Sequence, residues 1–151
     1  MRVISLFLAL ISLLVNGCAE LGNDSTNLHN IFVQQVNAEK NQIILQSREQ
    51  FFTQEFLKNV NPEDSKSLSL LTLTEVLNHE VSYFQSINHD RGCLSINGLQ
   101  ADQTPVVFHL EYRKENRLWR VNYMLLHFPE SEKDYVSTPQ CPDQAEVLLP
   151  H

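Results

Sequence analysis

Between Val106 and Leu125 the side chains alternate. Val106, Phe108, Leu110 and Tyr112 are interleaved with Val107, His109 and Glu111; after the polar stretch 114–117 the alternation resumes at Trp119, Val121, Tyr123 and Leu125. A period of two is that of a strand with one face turned to a core, so these residues predict an antiparallel hairpin with one aromatic, apolar face. Just upstream, Cys93 to Ile96 reads as a short strand closed by Asn97-Gly98, a dipeptide suited to a two-residue hairpin turn.

Before residue 90 the period lengthens. Leu28, Ile31, Phe32 and Val36 fall at helical spacing behind Asp24, Ser25 and Asn27, any of which can cap a helix start, and residues 38–42 interrupt the run. A second helix is expected from Ser47, with Ser47 and Gln50 as a capping box and Phe52 and Phe56 on one face. Pro62 disfavours helical geometry at Asn61, and Asp64 suits a turn, so the helix stops there. From Leu70, the residues Leu73, Leu77, Val81 and Phe84 keep to one side at helical spacing, which predicts helix to about His79 and extended chain beyond it. The stretch from Pro129 is acidic and Pro-containing. Helices first and antiparallel strands after them predict an α+β fold, the N-terminal helices covering the apolar face of the sheet.

With 151 residues, of which 42% are hydrophobic, the chain can bury one core, and a single domain over residues 27–151 is expected. The formal net charge is −7, which repels phosphate backbones and disfavours nucleic-acid partners. The N-terminus has its own pattern. Residues 3–15 are apolar except for Ser5 and Ser12, follow Arg2 and lead to the small Gly17, the order of an export signal. The run falls short of the ~20 apolar residues that a membrane-spanning helix needs.

Leu14-Val15-Asn16-Gly17-Cys18 resembles the lipobox of bacterial lipoproteins, with an aliphatic residue three before the cysteine and Gly immediately before it. The resemblance implies that residues 1–17 are a signal peptide and that Cys18 carries an acyl chain such as palmitate. Residues 18–26 would then be a tether, and the membrane would be the chain's first partner. Ala19 in place of Asp resembles lipoproteins sent to the outer membrane, where the domain would face the periplasm. If Cys18 carries lipid, Cys93 and Cys141 remain as an even pair in an oxidising compartment; they are expected to form a disulfide, two unrelated buried thiols being the other reading.

The stretch Phe108-His109-Leu110-Glu111-Tyr112-Arg113-Lys114-Glu115-Asn116-Arg117-Leu118-Trp119-Arg120-Val121 is similar to the late hairpin of nuclear transport factor 2-like domains, particularly small bacterial envelope members. That resemblance extends over much of residues 28–128 and implies a cone, with helices packed into a curved antiparallel sheet. Phe108, Leu110, Tyr112, Trp119, Val121 and Tyr123 would line it. Phe108, Tyr112, Trp119 and Tyr123 are then candidate ligand-binding residues, or core aromatics with hydroxyls reaching the rim.

Enzymes of that superfamily place an Asp or His in the cone, whereas here His109, Glu111, Arg120 and Asn122 alternate onto the opposite face. Catalysis would have to draw on Glu80, or on the His89-Asp90 pair, with a tyrosine. His79 is expected in solvent. His29, His109, His127 and His151 show no metal-ligand spacing, and no Gly-rich phosphate loop or nucleophile signature occurs, so no metal or other cofactor is indicated. Arg113, Lys114, Arg117 and Arg120 gather at the hairpin turn, where they could meet anionic headgroups or an acidic partner, or be a solvated tip. Three readings follow: a non-enzymatic envelope module binding a small apolar ligand or a partner protein, an isomerase- or hydratase-type enzyme, and a structural or assembly factor.

Overall fold

A computed structural model describes residues 26–145 except Pro62. The signal segment 1–17, Cys18, the tether up to residue 25 with the candidate caps Asp24 and Ser25, and His151 lie outside the described residues.

Helix α1 (Leu28–Lys40) starts at Asn27, whose side chain accepts a hydrogen bond from the Asn30 N–H. Its buried stripe of Leu28, Phe32, Gln35 and Glu39 follows the helical repeat. The helix runs through residues 38–40, which were expected to interrupt it. The chain turns only at Asn41 and Gln42, the latter at φ 59°. Helix α2 (Ile44–Phe51) begins before Ser47, and the expected capping box does not form. Ser47 Oγ instead donates to the Ile43 carbonyl at 2.8 Å, the back-bond a serine makes inside a helix. Phe52 is extended, and Thr53 caps a separate short helix α3 (Gln54–Lys58) by accepting from the Phe56 N–H. The rings of Phe52 and Phe56 do stack, at 4.9 Å, but across a helix break.

Asp64 caps helix α4 (Ser65–Leu68), accepting from the N–H groups of Lys66 and Ser67, and a 3-10 turn at Ser69–Leu71 follows. The helix expected from Leu70 to His79 is not formed. Buried Glu39 takes the Leu73 and Thr74 N–H groups at 2.8 and 2.9 Å, and the Leu73 carbonyl accepts from Val76 and Leu77, leaving one turn before the first strand. Leu73 and Leu77 still reach the core, which is why their spacing looked helical.

Strands β1 (His79–Asn88), β2 (Arg91–Leu99), β3 (Pro105–Glu115) and β4 (Leu118–His127) form one antiparallel sheet in the order β1-β2-β3-β4. The β1–β2 turn is His89-Asp90, with His89 at φ 52°, and the β3–β4 turn is Asn116-Arg117, at φ 51° and 68°. Asn97-Gly98 is therefore no turn. It lies inside β2, where Asn97 is buried and a Cβ on Gly98 would meet Leu77 Cδ1 and lie 2.7 Å from the His79 carbonyl oxygen.

One sheet face is covered by the helices. Leu94, Ile96, Phe108, Leu110 and Tyr112 lie there with Leu28, Phe32 and Phe52 in the main core. The other face is crossed by the C-terminal segment. Val136 exchanges hydrogen bonds with the Asn97 side-chain amide, Tyr135 Oη donates to the Gly98 carbonyl, the Gln140 N–H donates to Ser95 Oγ, and Cys141 is disulfide-bonded to Cys93 with the Cα atoms 4.9 Å apart. The expected pairing of the two cysteines is thus present. Because both faces are covered, β2 and β3 are buried along nearly their whole length.

Candidate functional site

The four aromatics expected to line a ligand chamber separate into two environments. Phe108, Tyr112 and Trp119 lie in the helix-side core, the first two at 0% exposure. Burial pushes the Tyr112 phenol upward, and the Tyr112 hydroxyl and Trp119 Nε1 have no hydrogen-bond partner among the described residues. They fill the interior rather than line a space.

Tyr123 is 55% exposed, a correction to the expected inward position. The cause is a bulge in β4. Tyr112 pairs with Val121 but Glu111 pairs with Tyr123, so Asn122 is an extra residue that reverses the alternation. Beyond the bulge Met124 and Leu126 pack against the core, and Tyr123 shares a face with Glu111. Two cavities of about 290 Å³ occur elsewhere: one lies among Arg48, Gln54, Leu57 and Val60, the other among Glu39, Ile44, Leu45 and Leu68.

On the opposite face the polar residues form a covered network. Glu111 accepts from Arg91 at 2.6 Å, from Arg113 at 2.7 Å and from Asn122 at 3.1 Å, and Arg91 also reaches Asp143. Burial alone would raise the Glu111 carboxyl, but Arg113 and Arg91 together hold it below the usual range. Beside it His109, 1% exposed, has Nδ1 at 3.0 Å from Ser95 Oγ. Burial first, and the neighbouring His127 second, lower its pKa to about 4. Glu111, Cys141 and Asp143 bring candidate ligand atoms within 4.8 Å of one another, but the sulfur is in a disulfide and both carboxylates are engaged by Arg91, so this cluster is not free to hold a cation.

Three of the four basic residues at the hairpin make internal contacts. Arg113 pairs with Glu111, Arg120 with Glu115 at 3.2 Å, and Lys114 Nζ sits 5.7 Å from the centre of the Trp119 ring. Arg117, the fourth basic residue of the group, is exposed in the turn. His89 and Asp90 are exposed in their turn, and His79 is exposed at the start of β1.

The arrangement with the most chemical capacity joins α1 to β1. His29 Nε2 lies 2.7 Å from Glu80 Oε1, and the imidazole stacks on the Tyr83 ring at 3.7 Å and 4°. The His29 N–H also donates to Gln85 Oε1. Side-chain exposures of 17% for His29 and 28% for Glu80 leave the pair in partial contact with solvent. Glu80 was a candidate from its sequence position. His29 was not, because only the packing of α1 beside β1 brings together residues 51 apart. A carboxylate hydrogen-bonded to an imidazole can move a proton, with Tyr83 contributing its stacked ring, yet the same contacts also simply fasten the helix to the strand.

No protein-family model, curated protein or solved structure matches the chain.

Proposed function

We propose that the chain is a lipid-anchored protein of the bacterial envelope, attached through Cys18 and facing the periplasm, whose cone-like domain of the nuclear transport factor 2-like type binds a partner protein and is not an enzyme. The lipobox-like run before Cys18 supports the anchor, and the joined Cys93 and Cys141 suit an oxidising compartment.

The observation that carries the binding reading is the filled interior. Phe108, Tyr112 and Trp119 occupy the volume that an apolar ligand would need. This favours a partner protein over a small ligand. Native mass spectrometry of the full chain released gently from membranes tests it: the expected result is no stoichiometric small molecule on the folded protein. A co-purified lipid or metabolite at one per chain would overturn the preference.

A second reading, proton-transfer catalysis of the isomerase or hydratase type, is supported by the His29–Glu80–Tyr83 contact. Glu80→Gln separates the two. Under the binding reading the variant complements a deletion strain in proportion to its folded amount, whereas a stable, abundant and inert variant would favour catalysis.

A further inference from the structure

We infer that β1 is a self-association edge, through which two copies of the chain join their sheets antiparallel about a two-fold axis at Gln85. This extends the binding reading by naming a second copy of the chain as a partner. The two sheet edges are treated differently. At β4, Phe52 bridges Val121 and the Thr53 N–H donates to the Val121 carbonyl, so that edge is partly covered. At β1, no strand among the described residues pairs with the outer edge.

An open edge normally carries lysine, proline or outward charge that blocks pairing. Residues 81–88 have none of these, and Glu80 is turned to His29. Val81 and Tyr83 are 45% and 41% exposed. Helix α1, which packs beside β1, has no Asp, Glu, Lys or Arg from residue 28 to residue 38, and Val33 is exposed on it. Residues 81–88 and 28–38 carry no formal charge, so in a protein of net charge −7 a second copy can approach along this stretch without like-charge repulsion.

The register also closes on itself. The bulge in β1 lies between Glu80 and Ser82, leaving Ser82 to Asn88 in unbroken register with β2. Antiparallel residues direct their N–H and C=O groups alternately to either side. Counted from Asn88, which pairs with Arg91 to close the two-residue turn, Tyr83, Gln85 and Ile87 direct theirs outward. Centred on Gln85, a copy pairs Gln85 with Gln85 and Tyr83 with Ile87, so every outward-bonding residue meets another and an aromatic meets an aliphatic on the same face.

The test uses the full chain in detergent micelles, with its mass followed by light scattering and its amide exchange measured at two protein concentrations. The expected result is a dimer in which the Tyr83, Gln85 and Ile87 amides are protected, the protection fading on dilution. Ser86 is exposed and opposes Phe84 of the second copy. Ser86→Lys should give a folded monomer whose three amides exchange roughly tenfold faster or more. A wild-type monomer, or a dimer that leaves these amides unprotected or survives Ser86→Lys, would overturn the inference. So would concentration-independent protection in a monomer, which would mean that another part of the same chain covers the edge. None of these outcomes bears on whether a small ligand co-purifies, so the binding reading and its extension fail separately.

Discussion

His109 is held neutral in a place where an imidazolium would be costly to form. In the unfolded chain it titrates near 6.5, and in the folded chain near 4. Above pH 6.5 both states are neutral and nothing is lost; as pH falls below 6.5 the unfolded state binds the proton first, and the folded state is penalised progressively until about pH 4. The full penalty is of the order of 3 kcal/mol. Glu39, whose carboxyl is raised by burial, acts in the opposite sense, so the comparison must be with a variant. Urea midpoints measured at pH 7.5 and pH 5 should fall for the wild type and fall less for His109→Gln; equal slopes would remove His109 from the account. Gly98 is another decisive position. Gly98→Ala should cost about 1–3 kcal/mol, because the new methyl meets Leu77 and the His79 carbonyl oxygen, and the melting temperature should drop accordingly. Its neighbour Asn97 misled the reading of the sequence for the same reason. A dipeptide that favours a turn locally is here used for a tertiary purpose, the amide binding Val136 and the missing side chain admitting Leu77.

Among the elements, the β3–β4 hairpin was legible because its period of two is sustained on both sides of a polar turn. The bulge at Asn122 was not, since an inserted residue leaves the composition unchanged and only reverses which side chains face the core. The stretch from Leu70 to His79 failed for a different reason. Its apolar spacing suits a helix, but the carboxylate of Glu39, supplied by another element, takes the Leu73 and Thr74 N–H groups and fixes an irregular path. The C-terminal segment is held by a few polar contacts and one covalent bond. Closing the 48-residue separation stabilises the fold by up to about 4 kcal/mol in the chain-entropy model. Cys93→Ala should therefore lower the melting temperature in non-reducing buffer, and exchange at the Val136 and Gln140 amides should quicken before global unfolding. A variant as stable as the wild type would mean that the disulfide contributes little.

For the whole molecule, the α+β class follows from the order of periods along the chain, and the helices do cover the apolar sheet face. The second cover could not be read in advance beyond its one anchor at Cys141, because residues 129–145 have neither period. Their role comes from where the disulfide and the Asn97, Ser95 and Arg91 contacts draw them. The candidate site was legible in part: Glu80 was named, but its partner His29 depends on packing. The proposed attachment to a membrane is a property of the whole chain and would rest on Cys18. Cys18→Ser should leave an unprocessed or soluble form, seen as loss from the membrane fraction on cell fractionation. The most direct measurement is the intact mass of the native protein extracted from membranes. The expected value is that of residues 18–151 with the Cys93–Cys141 bond intact and an acyl adduct at the N-terminus, whereas a chain that still carries residues 1–17 and no fatty-acid adduct would contradict it.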